Sequence, residues 1–172
     1  MMRAGILTIS DRSAAGERTD VSGPVLQKIL EEGGWQIVHE DIIPDEIETI
    51  RTTLIEWADS GGVDLILTTG GTGFGRRDCT PEATMAVLDR NAPGLAEAMR
   101  AASLQITPHA MLSRAVAGIR KNVLIVNLPG SPKGARENLQ VILAALPHAV
   151  QLLQDDPQSE QGHQPGLSLG HA

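Results

Sequence analysis

Aromatic side chains are nearly absent from this chain. Its 172 residues include two tryptophans, one phenylalanine and no tyrosine. A core for a domain of this length must therefore be filled by Leu, Ile, Val and Ala, a composition that suits a buried parallel sheet covered by helices. Cysteine is just as scarce. Cys79 stands alone, which excludes an internal disulfide and fits a reducing cytoplasm. No apolar run is long enough to cross a bilayer, and the amino terminus carries no signal-peptide pattern. The expectation is a cytoplasmic protein with no membrane partner. The five histidines (His39, His109, His148, His163, His171) show no metal-ligand spacing. Net positive charge is also missing. The formal charge is −7, which argues against general nucleic-acid binding.

Glycine, threonine and arginine are present where they count. The apolar run Leu65-Ile66-Leu67 leads into Thr68-Thr69-Gly70-Gly71-Thr72-Gly73-Phe74-Gly75-Arg76-Arg77-Asp78-Cys79-Thr80-Pro81-Glu82. This reads as a strand that stops at a phosphate site. Glycines let backbone N–H groups approach a ligand, the arginines supply positive charge, and Asp78 can hold a cation beside the same phosphates. The spacing matches neither the P-loop nor the dinucleotide-binding glycine pattern, which disfavours a dinucleotide oxidoreductase. A plain glycine-rich turn after a buried strand is the competing account.

Along the chain, strand and helix signals alternate. Ala4 to Ile9 predicts a first strand that delivers the polar segment Ser10-Asp11-Arg12-Ser13 to its carboxyl edge, where open α/β sheets bind ligands; turn formation explains Ser10 and Asp11 equally well. Asp20 or Ser22 can cap a first helix that ends at Gly33-Gly34. A second strand spans Trp35 to Ile43. Asp45 with Glu48 forms an acidic capping box for the next helix, which would account for Asp45 structurally. Val63 to Thr68 is a third strand, and Thr80 with Pro81 opens a helix. Asn91-Ala92-Pro93-Gly94 breaks the chain, Leu95 and Met99 suggest a short helix, and the segment from Ser103 to Lys121 is the least readable. Val123 to Leu128 is a strand with one polar member, Asn127. It runs into Pro129-Gly130-Ser131-Pro132-Lys133, where Ser131 caps a last helix whose N-terminus and Lys133 favour an anion. Pro147 should kink that helix. One domain is expected over residues 1–154, followed by a disordered polar tail over 155–172.

Five stretches occur in a fixed order: Ile43-Pro44-Asp45-Glu46, Thr68 to Gly73, Arg76-Arg77-Asp78-Cys79-Thr80-Pro81-Glu82-Ala83, Ser113-Arg114-Ala115, and Asn127-Leu128-Pro129-Gly130-Ser131-Pro132-Lys133. In this the chain resembles the MogA/MoaB family of molybdenum-cofactor biosynthesis proteins, which includes the G domain of gephyrin. The likeness runs from about Arg3 to Leu153. It implies a three-layer α/β fold with an open, mostly parallel sheet, assembled as a trimer. It also implies a molybdopterin adenylyltransferase that uses Mg2+ and ATP and passes its product to a molybdate-inserting protein. The family's two key carboxylates fall on Asp45 and Asp78, as catalytic residues and metal ligands. Ser10, Asp11, Thr69, Gly70, Gly71, Thr72, Gly73, Ser113, Asn127, Pro129, Gly130, Ser131 and Lys133 are the residues expected to hold pterin, nucleotide or phosphate. The alternative within the same fold is a non-catalytic molybdopterin-binding or scaffold protein of the MoaB type.

Overall fold

The computed structural model describes residues 1–155. The strands are β1 (Arg3–Ile9), β2 (Gln36–Ile43), β3 (Leu65–Thr69), β4 (Arg90–Asn91), β5 (Ala117–Arg120) and β6 (Val123–Leu128), in one sheet ordered β2-β1-β3-β6-β5-β4. The first four in that order run parallel. β5 is antiparallel to β6, and β4 to β5. The helices are α1 (Asp11–Ala14), α2 (Ser22–Glu32), α3 (Ile47–Asp59), α4 (Thr80–Met85), α5 (Pro93–Leu104), α6 (Pro132–Ile142) and α7 (Leu146–Leu153), with a 3-10 turn at Pro108–Leu112.

Alternation along the central strands builds two cores. Ile6, Leu65, Leu67, Leu124 and Val126 point to one face and pack with Leu26, Leu30, Met99, Leu139 and Val150 of α2, α5, α6 and α7. Leu7, Ile9, Ile66 and Ile125 point to the other and meet Ile50, Leu54 and Ala83 of α3 and α4. Because both faces are covered, β3 and β6 are buried at every position, as continuous apolar runs require. The three-layer architecture is thus the expected one. Burying a single leucine or isoleucine here contributes about 1.5–3 kcal/mol, so aliphatic side chains suffice without aromatic ones.

Several local expectations change. Ser10 to Ser13 is not only a turn: Ser10 Oγ accepts the Ser13 N–H at 3.2 Å and caps the short α1. The N-cap position of α2 is Val21, and Asp20 one residue earlier accepts the N–H groups of Ser22 and Gly23 at 3.0 and 3.2 Å. Asp45 does not cap α3, which starts at Ile47 after Glu46 and has no side-chain cap. Its carboxylate has a distant partner instead, described below. Thr80 is the first residue of α4 rather than its cap, and its hydroxyl donates to the Gly70 carbonyl at 2.9 Å. The last helix does not kink but divides: α6 ends at Ile142, and Pro147 falls in the first turn of α7, where its missing N–H is no loss. Apart from Asp155, the expected tail lies outside the described residues.

Candidate active site

The strand order places a topological switch point between β1 and β3. The chain leaves β1 toward β2 on one side and leaves β3 toward β6 on the other, which opens a crevice at the carboxyl ends of the two strands. A cleft of about 340 Å³ lies there. Of the residues expected to bind ligand, Ser10, Asp45, Thr69, Gly70, Gly71, Asp78, Gly130 and Ser131 line it.

Close packing of three loops sets its floor. Gly70 has φ +107°, and a side-chain carbon there would run into the Ile9 carbonyl. Gly71 has φ +64°, and a side-chain carbon would collide with Thr80 Oγ1 and lie 2.9 Å from Asp45 Oδ1. Both positions therefore need glycine. The Gly70 N–H donates to the Leu128 carbonyl at 3.2 Å, Thr69 Oγ1 to Pro129 O at 2.7 Å and Ser22 Oγ to Gly130 O at 2.8 Å. The glycine loop and the loop before α6 are thus held as one surface.

The carboxylates form a linked set. The Asp11 N–H donates to Asp45 Oδ2 at 2.9 Å, and the Asp45 N–H donates to Asp11 Oδ1 at 3.0 Å. This reciprocal long-range pair is what takes Asp45 away from capping. Arg77 donates two hydrogen bonds of 2.9 Å to Asp11, which hold the Asp11 carboxyl below the ordinary carboxylate range. Asp45 moves the other way. Burial pushes its carboxyl up, and the negative charges of Asp11 and Asp78 add to the effect. Asp78 Oδ2 accepts the Gly75 N–H at 2.9 Å and so is turned back over its own loop. Burial also pushes the Cys79 thiol up.

A second, more apolar cleft of about 320 Å³ lies across the glycine loop. Thr72, Gly73, Ser113 and Pro129 line it, and Ser131 borders both clefts. Three expected residues fall elsewhere. Asp11 stands at the rim, engaged with Arg77 and Asp45. Asn127 is fully buried and cannot touch a ligand. Its amide donates to Thr68 Oγ1 and Thr84 Oγ1, both at 2.9 Å, and its carbonyl oxygen accepts the Val116 N–H at 3.3 Å. Lys133 is exposed along α6, with its ammonium 3.8 Å from Glu137. The clefts also include residues that the motifs do not mark, among them Thr8, Ser13 and Arg18 on one side and Arg100, His109 and Asn138 on the other. Ser13, in the polar segment that follows β1, and Thr8, a polar residue within an apolar strand, carried a signal in the sequence. Among the described residues, no group of three or more His, Cys, Asp or Glu could hold a metal by itself, and no helix is long and apolar enough to cross a membrane.

Residues 5–148 match a family described as a probable molybdopterin binding domain. A gephyrin of Dictyostelium discoideum is 47% identical over 165 residues, covering 90% of this chain; the match spans only 23% of that gephyrin. A molybdopterin adenylyltransferase of Helicobacter pylori J99 is 44% identical over 151 residues, covering 87% of this chain and 86% of the relative. Among solved structures, the molybdopterin biosynthesis enzyme MoaB of Thermus thermophilus superposes with a TM-score of 0.86 at 52% identity, over 91% of this chain and 99% of that one. With the ordered motifs, the switch-point cleft and these likenesses in agreement, the chain belongs to the molybdopterin-binding MogA/MoaB family of molybdenum-cofactor biosynthesis proteins.

Proposed function

We propose that the protein is a molybdopterin adenylyltransferase, which transfers AMP from ATP to the terminal phosphate of molybdopterin and releases pyrophosphate. One observation carries this reading: a single glycine loop separates two clefts, one acidic and polar, the other more apolar, with Ser131 on both. Two substrates can then meet across one backbone element. The adenylyltransferase of Helicobacter pylori, 86% of whose length is matched, supports it from outside.

Asp45 and Asp78 fit a magnesium site. They are two carboxylates on one cleft; burial first, and then the negative charges of Asp11 and Asp78, push the Asp45 carboxyl up, and a divalent cation would offset those charges. Two carboxylates without a third protein ligand suit an ion that takes its remaining oxygens from water and substrate phosphate. Magnesium bound there would supply neutralisation of polyphosphate charge and alignment of the α-phosphorus. The rest falls to the protein. Backbone N–H groups at Gly71 to Gly73 cradle phosphate oxygens, Ser10, Ser13 and Ser131 offer hydroxyls, and Arg18 lines the same cleft as Ser10. The attacking group is a phosphate that is largely ionised at neutral pH, so no strong general base is required. A new P–O bond forms to the α-phosphorus as the bond to pyrophosphate breaks. Positioning and electrostatics carry the rate.

The same reading makes the protein a cytoplasmic homotrimer that hands its product to a molybdate-inserting protein. The second reading, a non-catalytic molybdopterin-binding protein of the MoaB type, draws on the Thermus MoaB likeness. Pyrophosphate release from ATP, with magnesium and molybdopterin present, separates the two. Turnover is expected for wild type, with a loss on the order of 100-fold or more in Asp78→Asn and pterin affinity nearly kept. No release from wild-type protein leaves the binding reading, and full turnover in Asp78→Asn removes Asp78 from the site.

A further inference from the structure

The glycine loop lines both clefts, yet three of its carbonyls are held by one residue from a distant segment. The Arg114 N–H donates to the Thr72 carbonyl at 2.9 Å. Its Nε donates to Gly73 O at 2.7 Å and its Nη2 to Asp78 O at 2.8 Å, while Nη1 pairs with the Glu82 carboxylate on α4. Trans peptides are planar, so pinning the Thr72 and Gly73 carbonyls also fixes the opposed N–H groups of Gly73 and Phe74. Pinning the Asp78 carbonyl holds the residue whose carboxylate folds back onto the Gly75 N–H and lines the acidic cleft. Ser113, the neighbour of Arg114, lines the other cleft.

We propose that Arg114 is the positioning residue that keeps the two clefts in register: its guanidinium fork holds Asp78 for one substrate and the Gly73 carbonyl for the other, while its backbone N–H holds Thr72. The proposal rests on the adenylyltransferase reading above. It turns on shape as well as charge. A planar fork reaches separate acceptors at fixed angles, whereas the ammonium of lysine is one point on a flexible stem. Misplacement by about 1 Å is enough to cost on the order of 100-fold in rate.

The test uses the full chain as wild type, Arg114→Ala and Arg114→Lys. It follows kcat and KM for ATP and molybdopterin, the melting temperature, and amide hydrogen exchange over residues 71–78. In both variants kcat should fall on the order of 100-fold with KM changed far less, and exchange in the loop should quicken. Added guanidinium ion should restore part of the rate of the alanine variant. Wild-type turnover in either variant overturns the proposal, as does lost rate with unchanged loop exchange. If alanine prevents folding, the lysine variant decides alone. Absence of turnover in wild type instead overturns the adenylyltransferase reading; loop exchange, which needs no activity, then decides whether Arg114 braces the loop.

Discussion

Asp45 sits half-buried beside Asp11 and Asp78, and its ionisation works against the fold. A carboxyl raised in the folded state costs nothing below the unfolded value of about 3.9 and costs most once the pH has risen past its folded value. Asparagine removes that cost, and its amide oxygen can still accept the Asp11 N–H. Asp45→Asn should therefore melt at or slightly above the wild-type temperature in chelator at neutral pH, while turnover falls on the order of 100-fold. A simple helix cap would behave differently: asparagine caps about as well as aspartate, so both melt and rate would be kept. Thermal melts beside a magnesium titration of turnover distinguish the outcomes. Full activity in the variant takes Asp45 out of the proposed magnesium site.

At the scale of elements, β6 holds the site together without touching ligand. Asn127 is the polar interruption in an otherwise apolar strand, and it links β3 through Thr68, α4 through Thr84 and the chain before β5 through Val116. Truncation would leave two buried hydroxyls and a backbone N–H short of partners. Asn127→Ala should cost about 2–3 kcal/mol of stability, read by denaturant unfolding, with substrate affinity of the folded fraction nearly unchanged. A binding residue would show the reverse, lost affinity at constant stability. The sequence placed Asn127 beside the Pro129-Gly130-Ser131 loop, and a motif gives no sign of which members face inward. Strand alternation does: Asn127 is even-spaced from Val123 and Ile125, which lie on the α3–α4 face.

At the scale of the whole molecule, an ion pair between buried Asp64 and partly exposed Arg3 anchors the start of the chain. Asp64, 4% exposed, accepts from the Arg3 N–H at 2.7 Å, from Arg3 Nη2 at 2.7 Å and from Gln154 Nε2 at 2.9 Å. It thereby ties β1, the entrance to β3 and the end of α7. Burial alone would push its carboxyl up, but the hydrogen bonds and charge of Arg3 outweigh this and hold it below the ordinary value. The sign is opposite to that of Asp45. Here stability is present above the unfolded carboxylate value and is lost as the pH falls through the folded one. Asp64→Asn should cost about 1 kcal/mol at neutral pH, allowing for solvent around the partly exposed Arg3. The gap to wild type should close as the pH drops below about 4, in urea titrations across that range. A gap that stays constant with pH would mean that the charge of Asp64 contributes nothing.

Local chemistry determined much of this protein. Aliphatic runs became buried strands, Gly33-Gly34 ended α2, Ser131-Pro132 opened α6, and the ordered motifs identified the family, because each of these is decided by a few neighbouring residues. Tertiary structure decided the rest. Asp45 and Asp11 are 34 residues apart, so only parallel pairing of β1 with β2 could bring them into a reciprocal pair and overrule the capping box. The strand order, and with it the switch-point cleft, depends on which apolar runs are adjacent, and near-identical runs carry no label for their partners. At the antiparallel edge, β5 came from the stretch with no clear period and β4 from the start of the segment read as a chain break; pairing of β5 with β6 and of β4 with β5 fixed both. The side-chain contacts of Arg114 with the glycine loop and α4 span 32 to 41 residues and exist only once the sheet has formed.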